Sequence, residues 1–176
     1  EIRRRYGEHA EAILDEYADQ IAVSTKSAMQ AIQADQAFGW GARAWLREVE
    51  NAGSAAYHYF FTRSPPVYLL YLPDRPPIEI PEGPRGYGAY HSGDLAYVFA
   101  NQQLVGSGWD DQDREISRVM SQYWVNFART GDPNGEGVPE WPRYEAASDR
   151  GIELGDEIRT VSGVRKAKLD LFDAAR

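Results

Sequence analysis

The sequence predicts an α/β fold, an incomplete sheet flanked by helices, and three observations carry that prediction. Apolar residues recur at helical spacing through the first fifty positions and again over residues 111–130. An aromatic run, Ala55-Ala56-Tyr57-His58-Tyr59-Phe60-Phe61, is bounded by turn formers and lacks clean alternation, which suits a strand covered on both faces in a parallel sheet. Two short strand-like runs near the C-terminus extend the sheet. With 176 residues, 43% of them hydrophobic and 26% charged, the chain has ordinary globular composition and length enough for a substantial core.

Residues 1–54 read as a helical region. Tyr6, Ala10, Ile13, Leu14 and Tyr17 form one apolar face, and Ile21, Thr25, Ala28, Met29 and Ile32 form the next. From Asp35 onward, Ala42, Trp45, Leu46 and Val49 fall on one side, and Gly53 supplies a stop. The opposite faces carry Arg3, Arg4, Arg5, Glu8, Glu11, Asp15, Glu16 and Asp19, a solvated mixed-charge surface that includes His9. Residues 55–176 hold the strand, a histidine loop, a core helix and a closing hairpin and helix. In the strand, His58 alternates with Tyr57 and Tyr59 and reads as a packed or hydrogen-bonded sheet residue. Pro65, Pro66, Pro73, Pro76, Pro77, Pro81 and Pro84 then forbid a central strand, because proline lacks the amide donor. Within them Val67–Leu72 is apolar enough for a short edge strand or covering flap, and the two PxxP spacings are what so many prolines produce by chance.

The stretch Gly86 to Asn101 delivers His91 from a glycine-rich loop into an apolar segment, Leu95, Tyr97, Val98 and Phe99. Glycines at 86, 88 and 93 permit backbone angles that aim a side chain sharply. Imidazole is the side chain best matched to taking and returning a proton near neutrality. Asp110, Asp111 and Asp113 then announce a helix by capping and by complementing its dipole. They lack the ligand pattern of a calcium loop. Ile116, Val119, Met120, Tyr123, Trp124, Phe127 and Ala128 give that helix its core face, and Gly131 with Pro133 ends it. Gly151–Leu154 and Ile158–Val161 flank a Gly155-Asp156 turn as a hairpin, and Ala167, Leu169, Leu171 and Phe172 suggest a closing helix.

Several function classes are excluded. The absence of cysteine removes disulfides, zinc–thiolate sites and a cysteine nucleophile. A net charge of −8 opposes phosphate-backbone binding, so nucleic acid is not an expected partner. No apolar run reaches the length of a membrane span. His9, His58 and His91 show no paired ligand spacing, and no dinucleotide or P-loop fingerprint occurs, so neither a metal nor a cofactor is expected.

Gly88-Ala89-x-His91-x-x-Asp94-Leu95-x-x-Val98-Phe99 resembles the histidine loop of type-B carboxylesterases, the group of para-nitrobenzyl esterases and cholinesterases. Asp94 departs conservatively from the commoner Glu. Tyr123-Trp124-x-Asn126-Phe127-Ala128-Arg129-Thr130-Gly131-Asp132-Pro133-Asn134, followed by Trp141-Pro142-x-Tyr144, is similar to a second family block, and Asp35-x-x-Phe38-Gly39-Trp40 with Tyr57-x-Tyr59-x-Phe61 to a third. The resemblance implies the C-terminal part of an α/β-hydrolase fold. It also implies a serine esterase whose triad histidine is His91 and whose substrate is a small carboxylic ester. In such folds the triad runs Ser, then Asp or Glu, then His. This chain contains no G-x-S-x-G elbow and no HGGG loop. The resemblance therefore sets the serine and a Glu ahead of Glu1, and the chain alone is expected to be inactive. The lack of cysteine favours a bacterial-type member. Asp94 is able to orient the imidazole, while the family pattern gives that position a supporting role instead. A reading from a different class is an inactive interaction module with the same fold, self-associating through an exposed sheet edge.

Overall fold

Helical periodicity in the first fifty residues is realised as a succession of short helices. The computed structural model describes residues 1–66, 83 and 85–175. In chain order the first elements are α1 (Ile2–Tyr6), α2 (Ala10–Glu16), α3 (Ala18–Val23), α4 (Thr25–Ala34), a π-helical turn (Asp35–Trp40) and α5 (Gly41–Asn51). There follow β1 (Tyr59–Phe61), α6 (Leu95–Val98), α7 (Gln102–Val105), α8 (Asp111–Thr130), β2 (Arg150–Leu154), β3 (Ile158–Ser162) and α9 (Lys166–Ala174). They fall into two units. One comprises Glu1–Ala56, Tyr144–Asp149 and Ser162–Arg176; the other comprises Tyr57–Arg143 and Arg150–Val161.

In the helical unit, Ile2, Ala10, Ile13, Tyr17, Ile32 and Phe172 form the buried core, with Tyr6, Leu14, Ile21 and Met29 packed around it. The expected periodicity is therefore met in α2 and α4. It is not met in α5. The buried position there is Arg43, while Trp45 is 74% exposed. Arg43 turns inward because Asp149 and Asp170 lie 3.3 and 2.8 Å from its guanidinium and offset the cost of burying a charge. The C-terminal helix α9 joins this unit through buried Leu169 and Phe172, and Asp173 accepts hydrogen bonds from the Trp40 indole and Arg47, each at 2.7 Å.

The second unit is built on a three-stranded sheet of order β1-β2-β3. β1 pairs parallel with β2, Tyr59 opposite Ile152 and Phe61 opposite Leu154. The link from β2 to β3 is only three residues long, so that pair is an antiparallel hairpin. β1 is shorter than the aromatic run that announced it, and it is half-buried rather than enclosed. Gly151 is required where the strands meet: a Cβ there would stand 2.7 Å from the His58 carbonyl. The core joins Tyr97, Ile116, Val119, Met120, Tyr123, Trp141, Ile152 and Leu154. α8 carries the expected cap, in which Asp110 accepts from the Asp113 amide, Asp113 accepts in return, and Gly131 closes the helix at φ 77°. Its apolar face stops one turn early, because Phe127 and Ala128 are exposed. The Val67–Leu72 segment and both PxxP spacings lie outside the described residues.

Candidate active site around the histidine loop

His91 stands on a chain of tight turns. The amides of Gly88, Tyr90, Gly93 and Leu95 bond back to the carbonyls of Arg85, Gly88, Tyr90 and Ser92 at 3.0–3.2 Å, with Gly93 at 2.9 Å. Ser92 takes a left-handed φ of 69°, and a Cβ on Gly93 would lie 2.9 Å from the Tyr90 carbonyl. The backbone reverses sharply at His91 and presents its side chain at an exposed position. Immediately beyond, Ala96, Tyr97 and Val98 of α6 are buried.

Both ends of this loop are fastened. At its exit, the Tyr59 hydroxyl of β1 donates to Asp94 Oδ2 at 3.0 Å. Burial and then the neighbouring Asp94 carboxylate hold the Tyr59 phenol above its ordinary pKa, so it remains a donor. Asp94 thus has a supporting partner in the sheet. At the loop's entry, Arg85 donates to the Ser64 carbonyl (2.6 Å), the Gly108 carbonyl (3.1 Å), Asp110 (3.0 Å) and Asp113 (2.5 and 3.3 Å).

Asp113 is the centre of this arrangement and is fully buried. It accepts from Arg85, from Arg63 Nε (2.8 Å), from the Tyr97 hydroxyl (2.8 Å) and from the Asp110 amide (2.9 Å). Arg63 also reaches Asp110 (2.8 Å) and, across the hairpin turn, Asp156 (2.6 Å). Burial alone would raise the Asp113 carboxyl; the hydrogen bonds from Arg85, Arg63, the Asp110 amide and Tyr97 outweigh it and hold the group well below the usual carboxylate range. The buried charge is paired and fully hydrogen-bonded, the condition under which such a group is tolerated. Only the Asp110–Asp113 cap was visible in the sequence. Nothing in the order of residues announces that Arg63 and Arg85 meet there.

The other candidates separate from this site. His58 stands just before β1 rather than within it, and its carbonyl accepts from the Ile152 amide (2.9 Å) and the Trp141 indole (3.0 Å). His9 sits half-exposed beside Glu8 in the helical unit. Among the described residues no cluster of three His, Asp or Glu side chains could hold a metal ion, and no helix is long and apolar enough to cross a membrane. What the site offers chemically is an exposed imidazole on a loop fastened at both ends.

Known proteins agree with this architecture. The carboxylesterase family model matches residues 2–172. Carboxylesterase 5A of Canis lupus familiaris is 34% identical over 119 residues, covering 62% of this chain and 19% of its own length. Bile salt-activated lipase of Bos taurus is 40% identical over 94 residues, covering 52% and 15%. A carboxylesterase structure from Geobacillus stearothermophilus superposes with TM-score 0.74 at 23% identity, over 97% of this chain and 33% of that one. An esterase structure from Clostridium hathewayi gives TM-score 0.61 at 20% identity over 99% and 32%. The chain spans about a fifth of the length of the curated relatives and a third of these structures. The fold is part of an α/β-hydrolase, and the chain belongs to the carboxylesterase family.

Proposed function

We propose that this chain is the C-terminal portion of a serine carboxylesterase and supplies its triad histidine, His91. In this reading a serine from the preceding part of the enzyme attacks the ester carbonyl while its proton passes to the His91 imidazole. The same proton then leaves with the alcohol, and the acyl-serine is released by water activated in the same way. The observation that carries the proposal is the histidine loop itself: the family pattern from Gly88 to Phe99 falls on a sharply turned segment fastened at both ends. The short span relative to the relatives leaves room for a serine, an acidic partner and an oxyanion hole elsewhere. β1 supports the reading too. Among the described residues it is the end strand, paired only with β2, and an end strand offers a row of amides and carbonyls to a further strand. We assign that neighbour to the same enzyme's preceding part, and expect the chain by itself to self-associate along this edge.

The test is hydrolysis of a short-chain nitrophenyl ester by the enzyme that carries this chain. His91→Ala is expected to abolish turnover by several orders of magnitude, as loss of a triad member does. Wild-type turnover in that variant removes His91 from the mechanism. The chain alone is expected to give no saturable hydrolysis, since its sequence holds no G-x-S-x-G elbow.

A further inference from the structure

We infer that Arg85 is a positioning residue for catalysis: with Asp113 as its counter-ion, it sets the orientation in which the loop delivers His91. The inference rests on the reading of His91 as the triad histidine. Its warrant is a convergence. The loop's entry and its exit are joined to one buried carboxylate, Asp113, through Arg85 on one side and the Tyr97 hydroxyl on the other. Between those two posts, the segment from Gly86 to Asp94 runs through a succession of short backbone turns that pass the direction set at its ends along to His91.

Arg85 is the post that only a guanidinium can be. It addresses four acceptors on two separate stretches of chain, the carbonyl of Ser64 on one and, on the other, the carbonyl of Gly108 with the carboxylates of Asp110 and Asp113. Ser64 follows β1, Gly108 precedes α8, and the two aspartates form the helix cap. A planar fork with five donors satisfies such a set, whereas an ammonium on a flexible stem does not. Asp113 in turn belongs to the first turn of α8, whose Ile116, Val119 and Met120 are buried in the core. The loop is thereby referenced to the longest helix of its unit.

Positioning shows itself in kinetics, because a displacement of about 1 Å at a reacting group costs on the order of 100-fold in rate. In the enzyme that carries this chain, Arg85→Lys and Arg85→Met are to be compared with wild type after titration of active sites with a covalent serine reagent. The expected result is a fall in kcat per titrated site of roughly 10- to 100-fold with KM within about 2-fold. Arg85→Lys is expected to recover part of that loss relative to Arg85→Met. A purely structural role would lower the number of titrated sites and leave kcat per site unchanged; that outcome, in Arg85→Lys, overturns the proposal. If Arg85→Met fails to fold, Arg85→Lys decides alone by the same criterion. His91→Ala is run alongside. Activity surviving in His91→Ala strikes down the parent reading and the positioning role with it. An inactive His91→Ala beside a wild-type kcat in Arg85→Lys strikes down the positioning role alone.

Discussion

Both units of the molecule bury aspartate against a tyrosine hydroxyl and an arginine, Asp35 and Asp149 in the helical unit and Asp113 in the sheet unit, yet Asp35 and Asp113 are held to different depths. In the helical unit, Asp35 accepts from Tyr17 (2.5 Å) and from Arg165 at the entry to α9. In the sheet unit, Asp113 accepts from Tyr97, two arginines and a backbone amide. Asp35 ties one terminal helix to its neighbours. Asp113 ties the histidine loop, the end of β1 and the start of α8 to one point. The difference is one of redundancy between two buried carboxylates: four groups donate to Asp113 beside the segment that carries His91, and two side chains donate to Asp35.

The comparison is broken most directly by removing each carboxylate's charge. Asp113→Asn leaves Arg63 and Arg85 facing a neutral amide, and breaking such a buried pair costs about 3–5 kcal/mol. The lower end, about 3 kcal/mol, is expected because Arg63 keeps Asp110 and Asp156. Asp35→Asn is expected to cost about 2 kcal/mol, near a charged hydrogen bond's worth. Arg165 is a third exposed and can turn its charge to water. Urea titration with amide exchange resolved by segment checks both values. Asp113→Asn is to loosen α8 and the strands, and Asp35→Asn the terminal helices. Equal or reversed costs end the claim of unequal depth.

Acid is a gentler probe of the same asymmetry. The folded-state pKa of Asp113 lies below its ordinary value near 3.9, so its contribution is complete above about pH 5 and is lost as pH falls toward the folded value. Wild type is therefore expected to lose more stability than Asp113→Asn between about pH 4.5 and 3. Superimposable slopes for the two proteins mean that Asp113 is not held low by its arginines.

How much of this was legible in the sequence follows from what each contact spans. The helices, the hairpin and the Asp110–Asp113 cap were readable because periodicity and capping act over three or four residues. The histidine loop was readable because its glycines and its motif are contiguous. The ion network was not, since Arg63, Arg85, Asp113 and Asp156 come from four separated places and meet only in the fold. α5 shows the opposite failure. Periodicity put Trp45 inward, and the structure buries Arg43, because two aspartates distant in sequence reward a charge there more than the core rewards an indole. Pattern reading has no term for a partner that is a hundred residues away.

The two tyrosines give the finest test, since Phe keeps the ring and removes one donor. Tyr17 is one of two side chains serving Asp35, so Tyr17→Phe leaves that buried carboxylate with Arg165 alone. A hydrogen bond to a charged group is worth about 1.5–3 kcal/mol, and about 2 kcal/mol is expected here. Tyr97 serves an acceptor that retains Arg63, Arg85 and the Asp110 amide, while its ring keeps its packing on Phe61 and Trp109. Redundancy lowers the expected cost of Tyr97→Phe to about 1 kcal/mol. Both substitutions remove the same chemical group from a buried aspartate, so denaturation midpoints isolate redundancy from burial. A costlier Tyr97→Phe would mean that Asp113 depends on each donor singly, and that the histidine loop rests on a chain of single links rather than on a net.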